Sequence, residues 1–241
     1  MTHPLSSRAR AALLLNAVVA WAGVVLTVLL STLGWYQQLP VEPGLYGDTP
    51  PGAAGALPRL LDTLSYFTIW SNIAVAVGVT LLLARPLRDG VAVRVLRLSG
   101  LLMITVTAIV YQVLLAPTAE VVGWSLLTDP ILHVVTPVLT VLVWAIWGPR
   151  GWIDARLVPA ALTVPLLWIV WMLARGAVID AYPYGFVNVA EVGYASVART
   201  LALILVFGVV VAAAFWGLDV LLRRRSRGSG APGHHAGRAA G

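Results

Sequence analysis

The chain has 241 residues, of which 59% are hydrophobic and only 11% are charged, whereas about a quarter of the residues of a typical soluble domain are charged. It has no cysteine, which excludes disulfides, thiolate nucleophiles and cysteine-based metal sites. The formal net charge is +6, and every basic residue is an arginine. Because a bilayer requires apolar spans of about 20 residues, this composition predicts an all-α integral membrane protein.

Six long apolar segments recur along the chain and predict a bundle of six transmembrane helices within residues 1–222. The predicted spans are at about 11–33, 63–84, 98–116, 130–147, 157–174 and 200–222. The remaining segment, 223–241, is basic and rich in glycine, which predicts a disordered tail.

The arginines are distributed unevenly between the two sides of the predicted bundle. All but three of the 16 flank the spans on the side that holds both termini, and the exceptions are Arg59, Arg175 and Arg199. Arginine-rich loops stay in the cytoplasm. The sequence therefore predicts a multi-pass protein of the cell membrane with cytoplasmic N- and C-termini. The net charge then reflects topology, and no nucleic-acid partner is expected.

Two of the predicted spans carry polar side chains at a helical spacing, which places each set on one helix face. The sets are Ser65, Thr68 and Asn72 in span two and His133, Thr136 and Thr140 in span four. Polar groups in a span are costly and normally face the bundle interior. The expected substrate contacts are Ser65, Asn72, Tyr111, Thr136 and Tyr184.

His133 is the only histidine outside the terminal segments, and it is therefore the natural proton acceptor within the membrane. Spans two and four run in the same direction, and Thr68 and His133 each follow a predicted span start closely. Both therefore lie roughly 5–8 Å below the same boundary. A hydroxyl hydrogen-bonded to an imidazole is a nucleophile–base pair for acyl transfer. Two structural roles stay open: Thr68 bonding its own helix, and His133 joining two helices.

Three short segments also resemble a known family. "SYFTIWSN" opens span two, "ILHVVTPVL" opens span four and "AYPYGFVNVAEVG" precedes span six. In that order they resemble the androgen-induced-gene-like family of multi-pass membrane proteins, in particular its bacterial, mostly actinobacterial, members. The animal members are threonine hydrolases that cleave fatty acid esters of hydroxy fatty acids.

The resemblance implies a catalytic threonine in the span-two segment and a catalytic histidine in the span-four segment. These fall on Thr68 and His133, the residues that depth and scarcity also select. The family's span-two motif reads closer to Phe-Leu-Thr-Phe, whereas this chain has Tyr66, Phe67, Thr68 and Ile69 in that order. No residue is assigned to orient the imidazole, although Asp129, Asp180 and Tyr184 lie on the same side.

The sequence leaves two functions open. The first is a membrane-embedded hydrolase that cleaves a lipid (fatty acyl) ester through Thr68 and His133. The second is a non-enzymatic protein, either a lipid-binding scaffold or a small-molecule transporter. The chain contains neither a G-x-S-x-G nor an H-E-x-x-H motif, which argues against the familiar soluble serine hydrolases and zinc proteases. No metal and no cofactor are expected, and the expected partners are membrane lipids or fatty acyl esters.

Overall fold

The computed structural model of the protein describes residues 5–84 and 90–228. Over those ranges the chain is all-α and contains nine α-helices but no β-strand. The helices are α1 (Ser7–Thr32), α2 (Ala56–Thr63), α3 (Phe67–Ala84), α4 (Val91–Val110), α5 (Ser125–Pro130), α6 (Thr136–Trp147), α7 (Leu157–Ala161), α8 (Thr163–Ile179) and α9 (Val189–Gly228).

These helices form six segments that are long and apolar enough to cross a bilayer, which confirms the predicted six-span membrane bundle. Helix α4 continues through a π-helical turn, α5 and α6 are joined by a second π-helical turn, and α7 and α8 form one segment. The segments are Ser7–Thr32, Phe67–Ala84, Val91–Leu115, Ser125–Trp147, Leu157–Ile179 and Val189–Arg225.

The predicted ends at 84, 147 and 157 agree with the helices, whereas two ends placed beside arginines do not. The helix of the third span begins at Val91 rather than at 98 and so includes Arg94 and Arg97, since arginine is a good helix former. Helix α9, which forms the sixth span, likewise continues beyond the predicted end at 222, to Gly228. Residues 223–228 of the predicted disordered tail are therefore helical, and 229–241 lie outside the described residues.

Close packing of α1, α3 and α4 holds the centre of the bundle. Gly100 of α4 faces the backbone of α3, and a Cβ added there would lie 3.4 Å from backbone atoms of Ala74. Met103 and Ile104 of the same helix are fully buried. Many of the large apolar side chains on the outer helix faces are exposed, including Val170 and Leu203, as expected for surfaces that contact lipid.

The end of the bundle that holds segments 33–66, 116–124 and 180–188 is called the loop end here, and the opposite end is called the terminus end. At the loop end two segments join through their backbones. Tyr46 donates its N–H to the Tyr182 carbonyl at 3.0 Å, and Tyr182 donates its own to the Gly44 carbonyl at 2.8 Å. The Tyr182 ring lies against Gly176 of α8, where an added Cβ would be only 2.1 Å from it. Any larger residue at 176 would displace this loop.

A buried ion pair also ties the loop end together. Arg175 of α8 donates to the Asp62 carboxylate of α2 at 2.6 Å, and their side chains are 10% and 12% exposed. The Arg175 guanidinium also lies 4.6 Å from the centre of the Tyr46 ring. Burial raises the pKa of Asp62, although Arg175 opposes the shift. The pair fixes α2, and hence the turn that leads into α3.

Candidate active site

Thr68 lies in the first turn of α3. Helix α2 ends at Thr63 and α3 begins at Phe67, so a short turn separates them. The Thr68 carbonyl accepts hydrogen bonds from the side chains of Ser71 and Asn72, each at 2.8 Å. Thr68 is 8% exposed. The hydroxyl therefore projects from a backbone that side-chain bonds hold in place.

His133 lies at the middle of the π-helical turn Ile131–Val135, between α5 and α6. The regular helical ladder is interrupted here because Pro137 has no N–H to donate to the carbonyl four residues back, which is that of His133. Instead the N–H of Thr136 bonds to the carbonyl of Ile131, five residues back. Single π-helical turns occur frequently at functional sites. This turn sets the direction in which the imidazole projects.

The two predicted catalytic side chains are in contact. Thr68 Oγ1 lies 3.1 Å from His133 Nε2. On the other side of the ring, Nδ1 lies 3.0 Å from the Asp129 carboxylate oxygen Oδ1 and 3.1 Å from the Asp129 backbone carbonyl. Aspartate, histidine and threonine thus form one continuous chain of hydrogen bonds.

These distances assign the tautomer of the imidazole. A backbone carbonyl can only accept a hydrogen bond, and an ionised carboxylate likewise. Nδ1 of His133 must therefore carry a proton. In the neutral ring Nε2 then has a lone pair, which accepts the hydrogen bond from the Thr68 hydroxyl. A neutral ring in this tautomer is the form that a general base requires.

Tyr111 contacts both the His133 imidazole and the Asp129 carboxylate. Its ring stacks on the His133 imidazole with centroids 3.8 Å apart and an angle of 11° between the planes. Its hydroxyl donates to Asp129 Oδ2 at 2.6 Å. Tyr111 also begins a π-helical turn, Tyr111–Leu115. The predicted substrate contact is thus a residue that positions the base.

Tyr184 reaches the start of α3 from the 180–188 segment. Its hydroxyl oxygen accepts the backbone N–H of Phe67 at 3.1 Å, and the backbone and side chain of Thr68 lie close enough to lower the pKa of this hydroxyl. Burial outweighs these neighbours and raises the pKa of the Tyr184 hydroxyl to about 12. The phenol is therefore neutral at physiological pH and lies beside the Thr68 hydroxyl.

The other three predicted substrate contacts have different surroundings. Ser65 lies in the turn before α3 rather than on its face; its hydroxyl donates to the Leu61 carbonyl at 2.6 Å and accepts from the Trp171 indole at 3.0 Å. The shared face predicted for Ser65, Thr68 and Asn72 was wrong because a turn interrupts the helix. Asn72 donates to the carbonyls of Thr68 and Leu132, so it joins α3 to the turn that carries His133.

Thr136 is fully buried, and its hydroxyl has no hydrogen-bond partner among the described residues. The prediction of one shared face for His133, Thr136 and Thr140 assumed an unbroken α-helix. The π-helical turn changes the rotation between His133 and the residues that follow it. Thr140 accordingly bonds to Asn16 of α1 at 3.0 Å.

Asp129 is the site residue that the sequence reading did not assign. It was counted with the loop before span four, whereas α5 begins at Ser125 and places it in a helix. Its spacing from His133 is i to i+4, the spacing at which side chains on a helix meet. An aspartate four residues before the only histidine in the membrane body was the signal that could have identified it.

An apolar pocket is lined in part by Phe67, the residue before Thr68. It lies between α4, α8 and α9. Phe67, Met103, Trp168 and Gly208 are among the residues that line it, and Thr68 and His133 are not.

Within 5–84 and 90–228, no group of three or more histidine, cysteine, aspartate or glutamate side chains is arranged to hold a metal ion. No protein-family model, curated protein or solved structure matches the chain. The case for a function therefore depends on the geometry at Thr68.

Proposed function

We propose that the protein is a membrane-embedded hydrolase that cleaves a fatty acyl ester, with Thr68 as nucleophile and His133 as general base. The observation that carries the proposal is the continuous hydrogen-bonded chain from Asp129 through His133 to Thr68, with heavy-atom distances of 3.0 and 3.1 Å. A nucleophile, its base and a third group that orients the base are the elements of a catalytic triad.

The reaction follows from the tautomer. Thr68 Oγ1 attacks the ester carbonyl carbon while its proton moves to His133 Nε2, and the imidazolium is stabilised by Asp129. When the tetrahedral intermediate collapses, the bond to the leaving alkoxide breaks and His133 returns the proton to that alkoxide. Water then attacks the acyl-threonine, with its proton taken by His133 and passed to Thr68 Oγ1. The products are an alcohol and a fatty acid.

Two features favour a lipid as the substrate. The reacting groups lie toward one end of the six-span bundle, and the ester groups of lipids lie near the ends of membrane spans rather than at the bilayer centre. The apolar pocket lined in part by Phe67 offers an alkyl chain a surface without polar groups to desolvate. The side chains of His133 and Asp129 are 12% and 22% exposed, so the site is not sealed from its surroundings.

The arginine distribution supports a cell-membrane location with both termini in the cytoplasm. The loop end would then face the outside, and the ester would enter from the outer leaflet. The three segments that resemble the androgen-induced-gene-like family favour the same activity, because the threonine and histidine that the resemblance selects are those that meet in the bundle.

The proposal is tested by measuring hydrolysis of long-chain nitrophenyl esters by the protein in lipid nanodiscs. Thr68→Ala and His133→Ala should each lower kcat by about 10³-fold or more, since loss of a triad member removes the activated nucleophile. Thr80→Ala is the matched control, because Thr80 lies on the same helix and bonds to Ala76 and Trp21 instead.

Thr80→Ala should retain the wild-type rate. A wild-type protein without ester hydrolysis, or activity that survives both active-site substitutions, would contradict the proposal. The non-enzymatic alternative would then be favoured, with the polar chain serving to join α3 to the π-helical turn of His133.

A further inference from the structure

We propose that the Tyr184 hydroxyl donates the hydrogen bond that stabilises the oxyanion formed when Thr68 attacks the ester. This inference rests on the proposed hydrolase activity and assigns a catalytic role to a residue that sequence analysis placed only among the substrate contacts. Three features of the site support this role: the direction of the phenolic proton, the rigidity of the ring and the engagement of the other nearby side-chain donors.

The phenolic proton of Tyr184 is directed away from the backbone at the start of α3. The Tyr184 oxygen accepts the Phe67 N–H at 3.1 Å, and a phenol has one proton to donate besides the lone pairs that accept. The proton therefore points away from that N–H. Thr68 is the next residue, and its backbone and side chain lie close enough to the phenol to lower its pKa. An ester carbonyl attacked by Thr68 Oγ1 would develop its charge within reach of this proton.

The N–H groups of the first helical turn have no partner within the helix and carry the positive end of the helix dipole. By donating to the Tyr184 oxygen, the Phe67 N–H polarises the O–H bond of the phenol. This makes the phenol a stronger donor. The pKa of about 12 keeps that proton in place throughout the pH range of an assay. Through the Tyr184 hydroxyl, the positive end of the α3 dipole can thus act on the developing oxyanion.

The Tyr184 ring is held in place by its aromatic neighbours. The Tyr184 ring stacks on Phe186 with centroids 5.2 Å apart, and Tyr66 meets it edge-on at 5.6 Å. Two aromatic contacts and a backbone hydrogen bond hold the hydroxyl before any substrate arrives. Donors fixed in advance where charge develops stabilise a transition state without reorganisation.

The other side-chain donors near Thr68 already have hydrogen-bond partners. The side-chain nitrogen of Asn72 already donates to the carbonyls of Thr68 and Leu132, and the Tyr111 hydroxyl donates to Asp129. The N–H of Phe67 donates to Tyr184 itself. Among the side-chain donors of the described residues whose bonds place them around Thr68, the phenolic proton of Tyr184 remains for the oxyanion.

The test compares Tyr184→Phe with Tyr66→Phe in nanodiscs. Both substitutions remove one hydroxyl from the same aromatic stack, but only the first removes a group that contacts Thr68. Loss of one oxyanion donor typically lowers kcat by about 10²–10³-fold, and we expect this for Tyr184→Phe with KM changed by no more than about twofold. Tyr66→Phe should keep the wild-type kcat.

A second readout separates oxyanion stabilisation from a structural effect. A long-chain trifluoromethyl ketone forms a tetrahedral adduct with a negatively charged oxygen, and its inhibition constant should rise with Tyr184→Phe by about the factor that kcat falls. If the melting temperature shows that this variant does not fold, 3-fluorotyrosine at position 184 replaces it. That residue keeps the ring shape and acidifies the hydroxyl, so kcat should rise.

Three outcomes would overturn the inference while the hydrolase proposal stands: a Tyr184→Phe kcat within about threefold of wild type, equal losses in Tyr184→Phe and Tyr66→Phe, or a kcat unaltered by fluorination. Both proposals would be overturned if the wild-type protein did not hydrolyse esters, or if its hydrolysis survived the Thr68→Ala substitution.

Discussion

Two of the buried polar clusters lie toward opposite ends of the bundle, and they differ in what their groups can do. The loop-end cluster of Thr68, His133 and Asp129 joins an alcohol, an imidazole and a carboxylate in sequence. In the terminus-end cluster, Thr140 donates to Asn16 at 3.0 Å, and both line a pocket together with Arg97.

The terminus-end cluster has donors in excess. Nδ2 of Asn16 and Nη1 of Arg97 are buried without a hydrogen-bond partner among the described residues. Neither an amide nor a guanidinium can take a proton from a hydroxyl at neutral pH. Thr140 therefore has no base to activate it, whereas Thr68 does. Polarity inside a membrane bundle indicates chemistry only where a proton acceptor lies beside a nucleophile.

Among the variants that separate the two clusters, the largest effect should come from a change of the Asp129 carboxylate. Asp129→Asn keeps the shape of the side chain but removes the charge that stabilises the imidazolium and favours the tautomer with the proton on Nδ1. In triads this change costs up to about 10⁴-fold in kcat, and we expect a loss of about 10²–10⁴-fold in the ester assay. A variant with near-wild-type kcat would show that His133 acts without Asp129.

A smaller, substrate-dependent effect is expected from the apolar pocket. Gly208 of α9 lines it, and Gly208→Leu should fill part of its volume. We expect kcat/KM for long acyl chains to fall by about tenfold, while short-chain esters are little affected. Gly217→Leu is the control, since Gly217 lies on the same helix and an added Cβ meets nothing within 4 Å. Equal losses for all chain lengths would place the acyl chain elsewhere.

Tyr111→Phe should have a still smaller effect. It removes the 2.6 Å hydrogen bond to Asp129 but keeps the ring that stacks on His133. Hydrogen bonds to charged groups contribute about 1.5–3 kcal/mol, and only part of this distinguishes the transition state. We expect kcat to fall by about three- to tenfold with unchanged KM. Tyr111→Leu, which also removes the stacking, should lose more; equal losses would mean that the ring contributes nothing.

At the terminus end we expect no loss of activity. Thr140→Val leaves the Asn16 oxygen without its donor, and an unsatisfied buried polar group costs about 1–3 kcal/mol. The melting temperature should therefore fall, whereas kcat per folded molecule stays at the wild-type value. A selective loss of kcat with normal stability would contradict the division of roles between the two clusters.

The sequence allowed the six-span bundle to be predicted because apolar length and arginine placement are properties of single segments. It also allowed Thr68 and His133 to be selected, since equal depth on parallel helices and the scarcity of histidine need no coordinates. It did not show that the two side chains meet, which is seen only in the structure, where Thr68 Oγ1 and His133 Nε2 lie 3.1 Å apart.

What the sequence did not reveal depends on departures from regular helix. The turn between α2 and α3 removed Ser65 from the predicted face, and the π-helical turn around His133 changed the direction of Thr136. Asp129 was named only as one of three residues on the same side as the imidazole and was not assigned, because a charged residue at a span boundary was read as loop. Each error came from treating helix ends and helix continuity as fixed by hydropathy alone.

The most direct test of the central claim is covalent labelling of the nucleophile. The protein in nanodiscs is treated with a lipophilic fluorophosphonate, digested and analysed by mass spectrometry. We expect the phosphonyl adduct on Thr68 in the wild-type protein, and its loss in both Thr68→Ala and His133→Ala. Labelling of all three proteins to the same extent, or an adduct on a residue other than Thr68, would contradict the account.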